Sequence, residues 1–312
     1  QNVFIMKERY GKGAKIIVPL IIIGTAAALI LLASPFIVSG LVEAVPESFY
    51  FEQNITEPTE SHESCVFSVL TLNIGHGRGT GMHQLFQSRD RITANADRTA
   101  EVLSRENISI AALQEVDGPG FWNGGLDLIE YLAENSGYPH GVWTKNVETA
   151  ALSYGTALLS SLPYSHAVSY TFEARPFVLP KGFTLGFFRV SERTDRHVCV
   201  VSLHLAPALS YMRKKQVELL LEKLADVNMP IVVMGDFNCG WREGSALRLL
   251  AERKNLTAWR PYSNELGSHS LGNRRLDWIL ISDDLEFLEY EIIDDRLSDH
   301  KAVKAVIRCS TD

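Results

Sequence analysis

The sequence predicts an α/β domain of stacked β-sheets with helices outside, preceded by one N-terminal membrane-spanning helix. Three observations predict it. Strand and helix patterns alternate from Cys65 onward, with strands the more numerous. Residues 197–237 read strand–helix–strand, which requires two parallel strands. The long uncharged run, residues 16–42, lies outside this region.

That run, "IIVPLIIIGTAAALILLASPFIVSGLV", exceeds the roughly 20 apolar residues that span a bilayer core. Pro19 and Pro35 near its ends trim the helix. Lys7, Arg9, Lys12 and Lys15 precede it, opposed only by Glu8. The positive-inside rule then places residues 1–15 in the cytoplasm and all that follows residue 42 outside, in a single-pass arrangement. A cleaved signal peptide is the rival reading, but its apolar region normally runs only about 7–15 residues. Residues 43–64 hold six acidic residues and no Lys or Arg, and read as a solvated stalk. Even fully extended, its ~20 residues reach only about 70 Å from the bilayer.

Residues 65–312 carry 26 Lys and Arg against 30 Asp and Glu, which is not the footprint of a general nucleic-acid binder. Strand patterns fall at 66–74, 108–116, 142–145, 155–160, 166–173, 183–190, 197–204, 231–237, 275–282 and 300–309. Helix patterns fall at 92–105, 126–137, 206–228 and 245–253. The clearest is 206–228, with Leu209, Met212, Val217, Leu220 and Leu224 in a stripe. "GHGRGTG", residues 75–81, must be loop. No repeat or low-complexity tract interrupts the region.

Polar residues recur where these strands end. Asn73 ends the first, Glu115 the second, and His204 the strand "VCVVSLH". Asp236 and Asn238 close "IVVMGDFN", Asp277 lies in "RRLDWIL", and Asp299 and His300 precede the last strand. Each alone reads as a turn or capping residue. Together they would form a charged patch that a stability-driven sequence avoids. A hard divalent cation takes oxygen ligands, and Glu115, Asn73 and Asp299 supply them. Two histidines with a carboxylate partner suit acid–base work near neutral pH, and Asn238 can donate to an anionic oxygen. The chemistry implied is phosphoester hydrolysis, in which a metal and fixed donors stabilise equatorial oxygens during in-line attack by water. A zinc protease is disfavoured, since no His-x-x-x-His pair or Cys/His ligand cluster is present.

The motifs "LTLNIG", "LQEVD", "YGTALLS", "SLHL", "GDFN", "RRLDWIL" and "LSDH", in this order, resemble the endonuclease/exonuclease/phosphatase superfamily from about Val66 to Arg308. The resemblance implies a four-layer sandwich of two packed mixed sheets flanked by helices. It implies that Glu115 and Asn73 bind a catalytic Mg²⁺, with Mn²⁺ as a substitute, and that Asp299 shares it. It makes His300 the general base, oriented by Asp277, while some members assign the base to the aspartate matching Asp236. His204 and Asn238 contact the scissile phosphate. In this family the first and last strands are neighbours, so Cys65 and Cys309 are expected to form a disulfide, leaving Cys199 and Cys239 unpaired.

Two segments depart from the family pattern. "GHGRGTGMH" offers Arg78 and His83 as binders of a second anionic group of the substrate. "GSHSLGNRR" stands where many members carry a Thr and an aromatic, so substrate preference is not inherited. An apolar stretch at 173–188 offers Phe177, Val178 and Leu179 as a wedge for the bilayer interface. With the anchor at 16–42, these features favour a phospholipid head group or related small phosphoester as substrate. A surface-anchored nuclease and a non-catalytic phosphate-binding module are the alternatives.

Overall fold

Alternate residues of strand β2 (Val66–Asn73) serve two different cores. Phe67 and Val69 point into a layer shared with a second sheet, whereas Leu70 and Leu72 point to a layer of helices. This two-sided burial explains why β2 reads as a nearly continuous apolar run. The computed structural model describes residues 24–25, 47–50, 65–81, 87–149, 152–173, 179–191, 194–207 and 209–310, the backbone alone for 47–50.

The strands are β1 (Glu47–Tyr50), β2, β3 (Ile110–Asp117), β4 (His140–Glu148), β5 (Ser153–Ser160), β6 (Tyr164–Thr171) and β7 (Gly182–Ser191). They continue with β8 (Arg196–His204), β9 (Ile231–Asp236), β10 (Leu256–Ala258), β11 (Asp277–Ser282), β12 (Leu285–Ile292) and β13 (Val303–Cys309). The helices are α1 (Arg89–Arg105), α2 (Leu128–Ser136), α3 (Ser210–Lys223) and α4 (Ala246–Lys254). One sheet has the order β1-β4-β5-β3-β2-β13-β12 and the other β10-β11-β9-β8-β7-β6. Each contains one parallel pair, β2 with β3 and β8 with β9, so both sheets are mixed. The parallel β8–β9 pair is the one expected of the 197–237 unit.

Three apolar layers hold the four structural layers together. Ile92, Ala96 and Leu103 of α1 and Leu132 of α2 cover the first sheet. Val217 and Leu220 of α3 and Leu247 and Leu250 of α4 cover the second. Between the sheets, Phe67, Ile110 and Ile307 meet Phe188, Val200, Met234 and Ile279. The helix ends follow local chemistry. The Ser88 and Ser245 hydroxyls accept from Arg91 N and Arg248 N, and Asp127 accepts from Ile129 N and Glu130 N. Helix α3 starts at Ser210, later than the stripe suggests, because Leu209 has a φ of 57° that no helix continues.

β12 has no counterpart among the expected strands. It is an edge strand with alternating exposed acids, "LEFLEYEI", and lacks the apolar run that marks the inner strands. β1 falls within the expected stalk, pairing Glu47–Tyr50 with Trp143–His140 on the opposite edge. Cys65 and Cys309 form the expected disulfide, at a Cα separation of 5.4 Å, and Cys199 and Cys239 are free thiols. The expected membrane span, 16–42, lies outside the described residues except for Gly24 and Thr25. Among the described residues no helix is long and apolar enough to cross a membrane.

Candidate active site

The two parallel pairs put the C-terminal ends of β2, β3, β8 and β9 on one edge of the sandwich. Asn73, Asp117, His204 and Asp236 are the last residues of those strands. β11 and β13 run antiparallel to β9 and β2, so the same edge receives Asp277 at the start of β11 and His300 just before β13. The layer beneath is polar. Gln114 donates to Thr71 Oγ1 and Ser202 Oγ, both at 3.2 Å, and Thr144, Ser169, Thr156 and Thr184 form a hydroxyl cluster beside it. Buried polar groups stay there because each finds a partner.

The motif at the end of β9 is explained residue by residue. Gly235 has a φ of 149°, and a Cβ there would lie 1.9 Å from Leu203 O of the neighbouring strand. Phe237 is fully buried, so the residues on either side of it turn towards the edge. Asn238 adopts φ 51°, a left-handed conformation that asparagine tolerates. Its backbone N–H donates to Asp236 Oδ1 at 2.9 Å and its amide to Asp236 Oδ2 at 3.1 Å.

Asp236 is the hub. Asn73 Nδ2 donates to its Oδ2 at 3.2 Å, and His204 Nε2 and His300 Nε2 lie 3.5 and 3.9 Å from the same atom. Burial pushes the Asp236 carboxyl up to about 7, and the nearby Asp277 charge adds to the rise. His300 Nδ1 bonds Asp277 Oδ2 at 2.8 Å, and Ser268 Oγ donates to that oxygen at 2.6 Å. Burial disfavours the His300 cation, but Asp277, Asp236 and Asp299 outweigh it and raise the imidazole to about 10. His204 is the opposite case. Burial and the Lys181 charge hold it well below the ordinary histidine value, so it is neutral.

Glu115 occupies a bulge between Gln114 and Val116 with a φ of 55°, which turns its carboxylate out of the strand pattern into the site. Four cationic or imidazole side chains surround it. Lys181 Nζ is 3.0 Å from Oε1, His76 Nε2 3.3 Å and Arg78 Nη1 3.6 Å from Oε2, and His204 Nε2 4.0 Å from Oε1. Burial favours the neutral acid, but these groups together hold it well below the usual carboxylate range. Beneath it His76 Nδ1 bonds Asp117 Oδ1 at 2.7 Å, and Trp122 donates to Asp117 Oδ2 at 2.8 Å.

The structure therefore gathers Asn73, Glu115, His204, Asp236, Asn238, Asp277 and His300. Arg78 and Asp299 join them in a different arrangement from the one expected. The Arg78 guanidinium clasps both Asp299 oxygens, at 3.1 and 3.0 Å, and bonds Gly75 O at 3.2 Å. It is neutralised inside the site and is not free for a second substrate anion. His83, Phe177 and Val178 lie outside the described residues. Leu179 is half-buried and packs against the cluster of Val147, Leu152 and Tyr154. His76, Asp117 and Lys181 were not singled out from the sequence. Their signals were slight: a His in a glycine loop, the last letter of "LQEVD", and the Lys before Gly182.

Acidic and histidine groups at this edge can hold a divalent cation. Two sets bring ligand atoms within 4.8 Å of one another: Asp236, Asp277 and His300, and His269, Asp299 and His300. Asp277 Oδ1 is buried without a hydrogen-bond partner among the described residues, as a coordinating oxygen would be in the absence of its ion. The expected oxygens of Glu115 and Asn73 also fit a hard cation, provided Lys181 leaves Oε1.

The Endonuclease/Exonuclease/phosphatase family matches residues 70–300. An endonuclease/exonuclease/phosphatase from Beutenbergia cavernae superposes with a TM-score of 0.60 at 20% identity, covering 78% of this chain and 72% of that one. A mannosyl-6-phosphatase from Bacteroides thetaiotaomicron gives 0.59 at 15% identity, covering 77% and 99%. The human Nocturnin catalytic domain with bound sulfate gives 0.58 at 15%, covering 86% and 98%. These likenesses establish the shared fold. No curated protein matches the chain.

Proposed function

Because the chain belongs to the endonuclease/exonuclease/phosphatase family, whose members are hydrolases acting on phosphoesters, we propose that it cleaves a small phosphoester by metal-assisted hydrolysis. The observation that carries this reading is the Asp277–His300–Asp236 arrangement at the strand edge, where Asp277 grips His300 Nδ1 and leaves Nε2 facing Asp236. In this reading Asp236, with a carboxyl near 7, removes the proton of the attacking water. His300 stays an imidazolium and donates from Nε2 to a phosphoryl oxygen. His204 and the Asn238 amide fix the scissile phosphate. Glu115 and Asn73, with Asp299 once Arg78 releases it, would hold Mg²⁺ or Mn²⁺, which would supply further positive charge for the phosphoryl oxygens.

The residues at 16–42 support an anchored enzyme with its catalytic domain outside the cytoplasm, acting on a phospholipid head group or related phosphoester. A panel of phospholipids, phosphorylated sugars and DNA, each with and without EDTA, tests the whole reading. Hydrolysis of lipids or sugar phosphates that EDTA abolishes is the expected result. Cleavage of DNA alone would replace the substrate class, and turnover unaffected by His300→Ala would remove the mechanism.

A further inference from the structure

A second binding region adjoins the catalytic edge. The loop leaving β9, the start of α4, and the loops between β10 and β11 enclose a cleft of about 900 Å³, within the range of small-ligand sites. Asn238 lies on its wall and Leu276, next to Asp277, on another, so the cleft opens from the proposed phosphate position. Its charge is one-sided. Arg213, Arg242, Arg274 and Arg275 line it, against the single acid Glu243. Arg275 bonds only neutral oxygens: Trp259 O, Arg260 O and the Tyr290 hydroxyl. Arg242 and Arg274 are exposed and make no ion pair among the described residues. Arg242 and Arg274 thus present charge to the cleft that no ion pair among the described residues takes up, unlike Arg78.

Two other features point the same way. The Trp241 indole N–H is buried in the cleft wall without an acceptor among the described residues. A buried donor left open is costly unless something else meets it. Ser245 and Ala246, the start of helix α4, also face the cleft and add the partial positive charge of a helix N-terminus. Tyr262, 77% exposed at the rim, offers an aromatic face, and Ser263, Asn264 and Asn273 offer polar partners for hydroxyls.

We propose that this cleft binds a second anionic group of the substrate, so that the natural substrate is a hydroxylated body carrying at least two phosphate-like groups. One sits at Asn238 for cleavage, and the other among Arg242, Arg274 and the Trp241 N–H. The inference rests on the proposed function and narrows its substrate class. It turns the enzyme away from head groups ending in a quaternary ammonium, because the exposed Arg242 and Arg274 repel such a group.

Calorimetric titration tests this with three probes: glucose 1,6-bisphosphate, glucose 6-phosphate and phosphocholine. The titrations use His300→Asn protein so that turnover adds no heat. The bisphosphate is expected to bind about tenfold or more tighter than the monophosphate, as charge-assisted hydrogen bonds allow. Arg242→Ala together with Arg274→Ala, both at exposed positions that fold without them, removes that preference and leaves monophosphate affinity unchanged. Equal affinities, a preference that survives the double substitution, or phosphocholine as the tightest ligand would each overturn the proposal. Turnover by protein with His300 intact separates the two readings. Phosphoester hydrolysis without the bisphosphate preference sinks the cleft alone. The preference without hydrolysis of any phosphoester sinks the proposed function alone.

Discussion

Replacing Asp277 by Asn removes the negative charge that keeps His300 protonated. The imidazole rises from 6.5 to about 10 against the burial that opposes it. That rise corresponds to about 5 kcal/mol favouring the cation. A single charge pair about 4 Å apart at an effective dielectric near 20 contributes about 4 kcal/mol, so Asp277 at 2.8 Å supplies most of it. Asp236 and Asp299 remain in the variant, so His300 is expected to settle at about 7. At pH 8 about one molecule in ten then holds the proton, and kcat/KM falls about tenfold. Asp236 loses its repulsive neighbour as well, so the acidic limb moves below 7 in step. The wild-type profile for a chromogenic phosphodiester is a bell between about 7 and about 10, and in D277N the whole bell slides towards acid. NMR of ¹⁵N-labelled histidine reads the His300 titration directly. An alkaline limb displaced by less than about half a unit would show that Asp277 does not govern His300. Stability follows the same sign. A raised histidine stabilises fully below 6.5 and loses that contribution as pH rises through about 10, so melting temperature should decline across this window and decline less in D277N.

Lys181→Met frees Glu115 Oε1, so Mn²⁺ affinity measured by electron paramagnetic resonance should rise about tenfold, and an unchanged or weaker affinity would mean that the lysine and a cation do not compete. Gly235→Ala drives a Cβ against Leu203 O and should destabilise the domain by about 3 kcal/mol or more in chemical denaturation; a loss below 1 kcal/mol would show that β8 and β9 yield easily. Reducing the Cys65–Cys309 bond, which closes 244 residues, should lower stability by up to about 5 kcal/mol. Denaturation curves that coincide with and without reductant would remove the disulfide from the account.

The inner strands were legible because burial on both faces forces apolar runs, as in β2, β3 and β9. The edge strands β1 and β12 were not. One face of β12 meets solvent and its acidic alternation resembles a loop, while β1 lies inside the acidic segment that reads as a stalk. The residues of the site were visible one by one at strand ends, and their order along the chain carried the family resemblance. Their partners were another matter. Arg78 reads in sequence as a free cation for substrate, yet it clasps Asp299, 221 positions away. Lys181 carries no signal in sequence beyond preceding a glycine, yet it caps Glu115, which only the bulge at φ 55° turns towards it.

The sequence by itself determined the layers, the parallel β8–β9 pair and the set of groups capable of phosphoester chemistry, and the family resemblance of its motifs implied the disulfide partners. Periodicity and strand-end composition are local properties, and they survive without coordinates. Tertiary structure alone decided which charge neutralises which, that Asp236 and His300 both titrate above their ordinary values, and that arginines from separate loops surround one cleft. Electrostatic interactions depend on distance and burial, and both are set by segments that meet only after the two sheets have packed.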